Sequence, residues 1–83
     1  MSLRDIFITV LRDKFYVYLK QGSLRTWSAE VIYSIVDGII REKEYEINSY
    51  LQNYIVNLEN MDGAADSIVR SILLPYLQKK RVE

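Results

Sequence analysis

The sequence has no cysteine and no histidine among its 83 residues. Without cysteine the chain cannot build a disulfide framework, a thiolate zinc site or a thiol nucleophile. Without histidine it lacks the commonest general base and the commonest metal ligand. These two absences exclude most of the chemistry that small domains perform. We therefore predict no catalytic residue, no cofactor and no metal site.

An excess of charge is also missing, because 11 basic side chains balance 11 acidic ones. Non-specific binding to nucleic acids and to anionic membranes both depend on a surplus of positive charge. No stretch approaches the roughly 18 consecutive apolar residues of a membrane helix, and the apolar run before Arg12 is too short for a secretory signal. We therefore expect a cytoplasmic protein whose partner is another protein, with nucleic acid and membrane both disfavoured.

Glycine and proline are scarce, at three residues and one. The length and the hydrophobic share of 49% fit one globular domain over residues 1–83. Only two stretches combine glycine with asparagine, aspartate or serine, as turns do. They are Gln21-Gly22-Ser23 and Asn60-Met61-Asp62-Gly63. These turns divide the domain into three segments.

The first segment, residues 3–20, has apolar side chains that recur every three or four residues, as in an amphipathic helix. They are Leu3, Ile6, Phe7, Val10, Leu11, Phe15 and Tyr18. A β-hairpin around the polar residues Arg12-Asp13-Lys14 is the alternative, because both flanking runs are rich in β-branched and aromatic residues. We favour the helix, since neither run alternates cleanly and the turn has no glycine or asparagine.

The second segment carries two helical stripes over residues 27–59, with Thr26 as the expected N-cap. The first stripe is Trp27, Val31, Ile32, Ile35, Val36, Ile39 and Ile40, and the second is Ile47, Tyr50, Leu51, Tyr54, Ile55 and Leu58. At about 100° per residue the second stripe lies roughly 80° round the helix from the first. Either the chain bends between Arg41 and Ser49, or one unbroken helix turns its halves toward different neighbours.

The third segment, from Asp62 to about Arg81, repeats the helical pattern, and Asp62 is its expected N-cap. Its apolar positions are Ala65, Ile68, Val69, Ile72, Leu73, Tyr76 and Leu77. Pro75 lies inside the pattern, where it removes one backbone donor and crowds the carbonyl of Ser71. We expect a kink or a break there.

Two groups of carboxylates suggest chemistry at first sight. Glu42, Glu44 and Glu46 alternate with basic residues, and residues two apart on a helix point away from each other, so we interpret them as a solvated face. Asp37 lies in a strongly apolar stretch, where burial would raise its pKa. Its position at the edge of the stripe favours a boundary side chain instead.

Tyrosine is abundant, with seven residues, and its amphipathic ring suits surfaces that alternate between water and a partner. An unbroken second helix would be about 50 Å long at about 1.5 Å per residue, more than a compact chain of this size can cover. We therefore predict an interface on the second stripe and on the outer side of the first segment. The predicted interface residues are Ile47, Tyr50, Leu51, Tyr54, Ile55, Leu58, Tyr16 and Val17.

These patterns together predict an all-α bundle of three to four helices with a long central helix, paired as a homodimer. The expected function is that of a non-enzymatic protein–protein interaction module, a small adaptor, regulatory or assembly protein that acts through an apolar, tyrosine-rich helix face. The alternative is a small DNA-binding transcription regulator whose basic ends, such as Lys79-Lys80-Arg81, touch DNA. A protein that lies on a membrane surface is the least favoured class.

Overall fold

The computed structural model describes residues 2–82, and side chains are described for residues 2–80. Helix makes up 80% of the structure, which confirms the all-α prediction, and no strand occurs in the described range. Within the described residues the α-helical stretches are α1 (Leu3–Gln21), α2 (Ala29–Glu42), α3 (Glu44–Asn53), α4 (Met61–Ile68) and α5 (Leu74–Val82). A π-helical turn at Val69–Leu73 joins α4 to α5 without a gap, so these stretches form four helices.

Helix α1 is continuous, so the alternative of a hairpin is wrong. The Ser2 hydroxyl caps it by accepting a hydrogen bond from the Asp5 amide at 3.1 Å. Arg12, which the hairpin would place in a turn, lies in mid-helix, where its side chain binds Asp37 of α2. The helix buries one row of side chains completely or nearly so: Phe7, Leu11, Phe15 and Leu19.

Thr26, the predicted N-cap of α2, lies two residues before the actual one. A series of turns carries the chain through residues 22–27, with the amide of Trp27 donating to the carbonyl of Leu24. The backbone is therefore still in these turns at Thr26. Ser28 is the actual N-cap, and its hydroxyl accepts from the Val31 amide at 3.4 Å.

The expected long central helix is not continuous, because α2 and α3 are separated at Lys43, where φ is −102° and ψ is 19°. The break explains the offset between the two apolar stripes. On one straight helix they would face different directions, whereas the bend lets Ile39 of α2 and Ile47 of α3 enter the same core. The chain also leaves the helix after Asn53, so Tyr54, Ile55 and Leu58 lie outside it.

The third segment stays helical through Pro75, so of the expected kink or break the break does not occur. The helix is distorted locally instead: a π-helical turn ends at Leu73, two residues before the proline, and the Leu74 amide donates to the Val69 carbonyl five residues back. A wider turn of this kind shifts the hydrogen-bond register where the proline ring would crowd an α-helical turn. Asp62 does not cap α4, because Asn60 occupies the N-cap position; the Asp62 carboxylate instead lies 2.7 Å from the Lys14 ammonium.

Helix α1 packs against both α2 and α4, and the buried side chains of all the helices form one cluster between them. The pairs Arg12 with Asp37 and Tyr16 with Tyr33 run in opposite order along the two helices, so α1 and α2 are antiparallel. The radius of gyration is 12.5 Å, close to the roughly 12 Å of a compact chain of this length. None of the helices in the described range has the length and apolarity needed to cross a membrane.

Candidate protein interface

Ile47 differs from the other predicted interface residues because it lies in the core. Its side chain is fully buried in the core cluster with Phe7 and Ile39. A side chain in that position stabilises the monomer and offers nothing to a partner. We therefore leave Ile47 out of the candidate surface described next.

The end of α3 and the segment after it present a largely apolar surface to solvent. Tyr54, Ile55 and Leu58 are 60%, 86% and 72% exposed. Tyr50 and Leu51 are half-buried beside them, and the rings of Tyr50 and Tyr54 lie 4.5 Å apart. We call this the loop surface, formed by Tyr50, Leu51, Tyr54, Ile55, Val56 and Leu58. Five of these six residues belong to the predicted interface.

Two shallow concavities adjoin each other on this surface, and Val56 lines both. The larger concavity has a volume of about 480 Å³ and is lined in part by Gly63 and Ala64 of α4. These small residues leave open space, because none of the neighbouring atoms considered lies within 4 Å of the position that a Cβ on Gly63 would occupy. The smaller, of about 200 Å³, is lined by Leu3, Arg4, Phe7, Leu51 and Val56. The surface thus combines projecting apolar side chains with hollows that could receive them.

Two asparagines hold the backbone of residues 55–60 in one conformation. The Asn57 side-chain oxygen accepts hydrogen bonds from the amides of Glu59 and Asn60 at 2.9 and 3.1 Å. The Asn60 side chain accepts from the Asn57 amide at 2.8 Å and donates to the Ile55 carbonyl at 2.8 Å. These bonds replace those of a further helical turn, and they present Ile55 and Leu58 on an ordered segment.

Tyr16 lies in a polar and aromatic cluster that locks α1 to α2. Its ring stacks on that of Tyr33, with centroids 4.3 Å apart and planes within 4°. The Arg12 guanidinium lies 4.2 Å from the Tyr33 ring centre and makes two hydrogen bonds to the Asp37 carboxylate, at 2.7 and 3.2 Å. The Asp37 hydrogen bond raises the pKa of Arg12. Tyr33 also donates a hydrogen bond to Asp13.

Val17 is half-exposed on the outer side of α1, next to this cluster. It lies about 20 Å along the helix axis from Leu3, which lines the smaller concavity. The structure therefore brings together the predicted interface residues of the second segment apart from the buried Ile47, and it places Tyr16 and Val17 elsewhere.

Sequence reasoning missed two parts of the exposed apolar surface. Leu3 is 44% exposed and lines the smaller concavity, although periodicity assigns it to the buried stripe of α1. Trp27 and Val31 are 44% and 45% exposed at the start of α2, although the apolar stripe includes both. The sequence pattern does not show which end of an apolar stripe extends beyond the neighbouring helix. Burial of these end residues depends on where the other helices cross.

The acidic residues of the α2–α3 junction are spread over separate ion pairs. Glu42 binds Lys80, Glu44 lies near Arg4, and Glu46 binds Lys43. The hydrogen bonds from Lys80 and Lys43 hold the pKa values of Glu42 and Glu46 below their usual range. Within the described residues no three acidic side chains gather closely enough to hold a metal ion. The arrangement is that of a solvated face.

The chain matches no protein-family model, no curated protein and no solved structure. Its function is accordingly inferred from the surface described above.

Proposed function

We propose that the protein is a non-enzymatic interaction module that pairs with a second copy of itself through the loop surface. The single observation that carries this proposal is the exposure of Ile55, which is 86% accessible on a hydrogen-bonded loop and lines the larger of the two adjoining hollows. Contiguous apolar surface of this kind is typical of interaction sites on small proteins. Tyr50 and Tyr54 add amphipathic rings, which suit a surface that is wet in the free protein and buried in the complex.

The shape of the loop surface supports a second copy as the partner. A two-fold interface uses the same patch on both subunits, so the patch has to fit itself. Ile55 and Leu58 are exposed, and the larger hollow, which Ile55 lines, adjoins the smaller one at Val56. Each copy can therefore offer its projecting side chains to the hollows of the other.

The charges support a protein partner over DNA. Six of the basic side chains form ion pairs with carboxylates of the same chain: Arg4, Arg12, Lys14, Lys43, Arg70 and Lys80. A basic group that is neutralised in this way contributes less to the release of counterions on which DNA affinity depends. The absence of cysteine and histidine supports a role without catalysis.

Replacing Ile55 with aspartate tests the proposal. Ile55→Asp places a charge at the centre of the proposed interface but exchanges a side chain that makes few contacts in the monomer. We expect the dissociation constant for the dimer, measured by sedimentation velocity over a concentration series, to rise by about tenfold or more. The helical circular dichroism spectrum should stay unchanged.

Val17→Asp is the matched control, because Val17 is also an exposed apolar residue but lies outside the loop surface. It should leave the dissociation constant within about twofold of the wild-type value. A wild-type protein that stays monomeric throughout the series, or a Val17→Asp protein that dissociates while Ile55→Asp does not, would contradict the proposal.

A further inference from the structure

The loop surface carries opposite charges at its two ends. Of the two hollows, the smaller is lined by Arg4 and the larger by Glu59, and Val56 lines both. Arg4 and Glu59 thus lie on opposite sides of Val56. A half-turn about the centre of such a patch places its negative end where its positive end was. Two copies related by this rotation therefore bring opposite charges together.

Arg4 keeps part of its hydrogen-bonding capacity despite its long ion pair with Glu44, and Glu59 has no such pair within the described residues. The Arg4 side chain is 45% exposed; its Nε donates to the Asn48 side-chain oxygen at 3.1 Å, and one terminal nitrogen lies 3.8 Å from Glu44. A guanidinium has five donors, so these contacts leave others to point outward. The carboxylate of Glu59 takes part in none of the hydrogen bonds or ion pairs within the described residues, and only its backbone amide is engaged, with Asn57.

The segment around Glu59 is rich in acidic residues, so the basic side chain of Arg4 is important for recognition of a second copy. Residues 44–69 contain five carboxylates and no lysine or arginine. Four of these carboxylates are paired with basic side chains of the same chain, so an occupant of the larger hollow meets the negative charge of Glu59. Arg4, at the other end of the same surface, supplies the complementary charge when the partner is a second copy.

We propose that two copies pair about a two-fold axis near Val56, so that Arg4 of each copy faces Glu59 of the other and Ile55 enters the partner's larger hollow. This inference rests on the proposed function, because it specifies how the loop surface recognises itself. Two equivalent charge pairs form in each dimer, one on either side of the axis. The pairs select the two-fold register over other ways of packing the same apolar side chains.

A mixing experiment with two charge reversals tests this register. Arg4→Glu gives a copy with carboxylates at both ends of the surface, and Glu59→Arg gives a copy with guanidiniums at both ends. Each variant alone should dimerise about tenfold more weakly than the wild type, because both charge pairs become repulsive. Mixed in equal amounts, the two variants should form a heterodimer that restores both attractive pairs.

Native mass spectrometry resolves the three dimers, since the variants differ in mass. The heterodimer should exceed its statistical share severalfold at low salt, and the excess should shrink in about 0.5 M salt, where charges at the rim are screened. Loss of monomer stability through the Arg4 contacts would weaken dimers generally and could not favour the mixed one. The double variant Arg4→Glu with Glu59→Arg should regain wild-type affinity.

A statistical distribution of dimers would overturn the two-fold register. If Ile55→Asp still abolished self-association in that case, the proposed function would stand and only the register would fail. A wild-type chain that does not self-associate would instead overturn the proposed function together with the register.

Discussion

Single polar side chains hold α1 against α4 on the side opposite to the Arg12 and Tyr33 cluster. The Tyr18 hydroxyl donates a 2.6 Å hydrogen bond to the Asp66 carboxylate, and the Lys14 ammonium lies 2.7 Å from Asp62. Arg70 adds a longer ion pair to Asp66 at 3.6 Å. The hydrogen bond from Tyr18, helped by the charges of Arg70 and Lys14, holds the pKa of Asp66 below its ordinary value.

The lowered pKa of Asp66 predicts a loss of stability in acid. Because the native carboxylate binds protons less readily than the unfolded one, its contribution is complete above the unfolded value of about 3.9. That contribution declines as the pH falls from there and is gone below the lowered pKa. We expect Asp66→Asn to be less stable than wild type at pH 7 and the gap to close toward pH 2, as measured by urea denaturation across this range.

Tyr18→Phe is the companion variant, since it removes the donor but keeps the carboxylate and the ring. It should show part of the same effect, a lower stability than wild type at pH 7 and a difference that narrows toward pH 2. A deficit of Asp66→Asn that is as large at pH 2 as at pH 7 would show that Asp66 contributes through its shape and not through its charge.

The ends of the elements depend on local hydrogen bonds, and these are only partly visible in the sequence. Apolar spacing predicted helical structure over most of α1, α2 and α4, because each of these helices packs one side on the common core. The end of α3 was not predicted, since the apolar pattern continues to Leu58. After the helix ends, Asn57 and Asn60 bond to backbone groups of residues 55–60 and hold them outside a helix, and periodicity does not register such bonds.

The N-terminus of α2 offers a test at this scale. Ser28→Ala removes the hydroxyl that accepts from the Val31 amide, so we expect a loss of about 0.5–1 kcal/mol in the free energy of unfolding. Thr26→Ala, two residues earlier in an exposed turn, should change it by less than about 0.5 kcal/mol. Urea denaturation of the two variants and the wild type measures both values. The reverse ranking would place the helix start at Thr26.

The whole molecule decides which apolar residues serve the fold and which remain for a partner. Ile47 and Ile55 belong to the same predicted stripe, yet one is fully buried and the other is among the most exposed apolar side chains. The difference arises because Ile47 lies on α3, which contacts α1 after the break at Lys43, while Ile55 lies in the loop after Asn53 with its side chain in solvent.

A matched pair of truncations separates these two roles. Ile47→Ala should lower the free energy of unfolding by about 2–5 kcal/mol through the cavity that it leaves. Ile55→Ala should lower it by less than about 0.5 kcal/mol but weaken self-association. Chemical denaturation at a protein concentration below the dissociation constant isolates the monomer's stability. Should Ile47→Ala fail to fold, Ile47→Val provides the milder change, of about 0.5–1.5 kcal/mol. Equal losses for Ile47→Ala and Ile55→Ala would contradict this division.

The sequence by itself determined the class of fold, because the spacing of apolar residues sets which side of a helix avoids water whatever the neighbours are. It also indicated the region of the candidate surface, since the second stripe is rich in tyrosine and isoleucine. Only the tertiary structure decided which of those residues are exposed. Burial depends on where α3 bends and stops relative to α1 and α4, and those contacts join residues that are far apart in the chain.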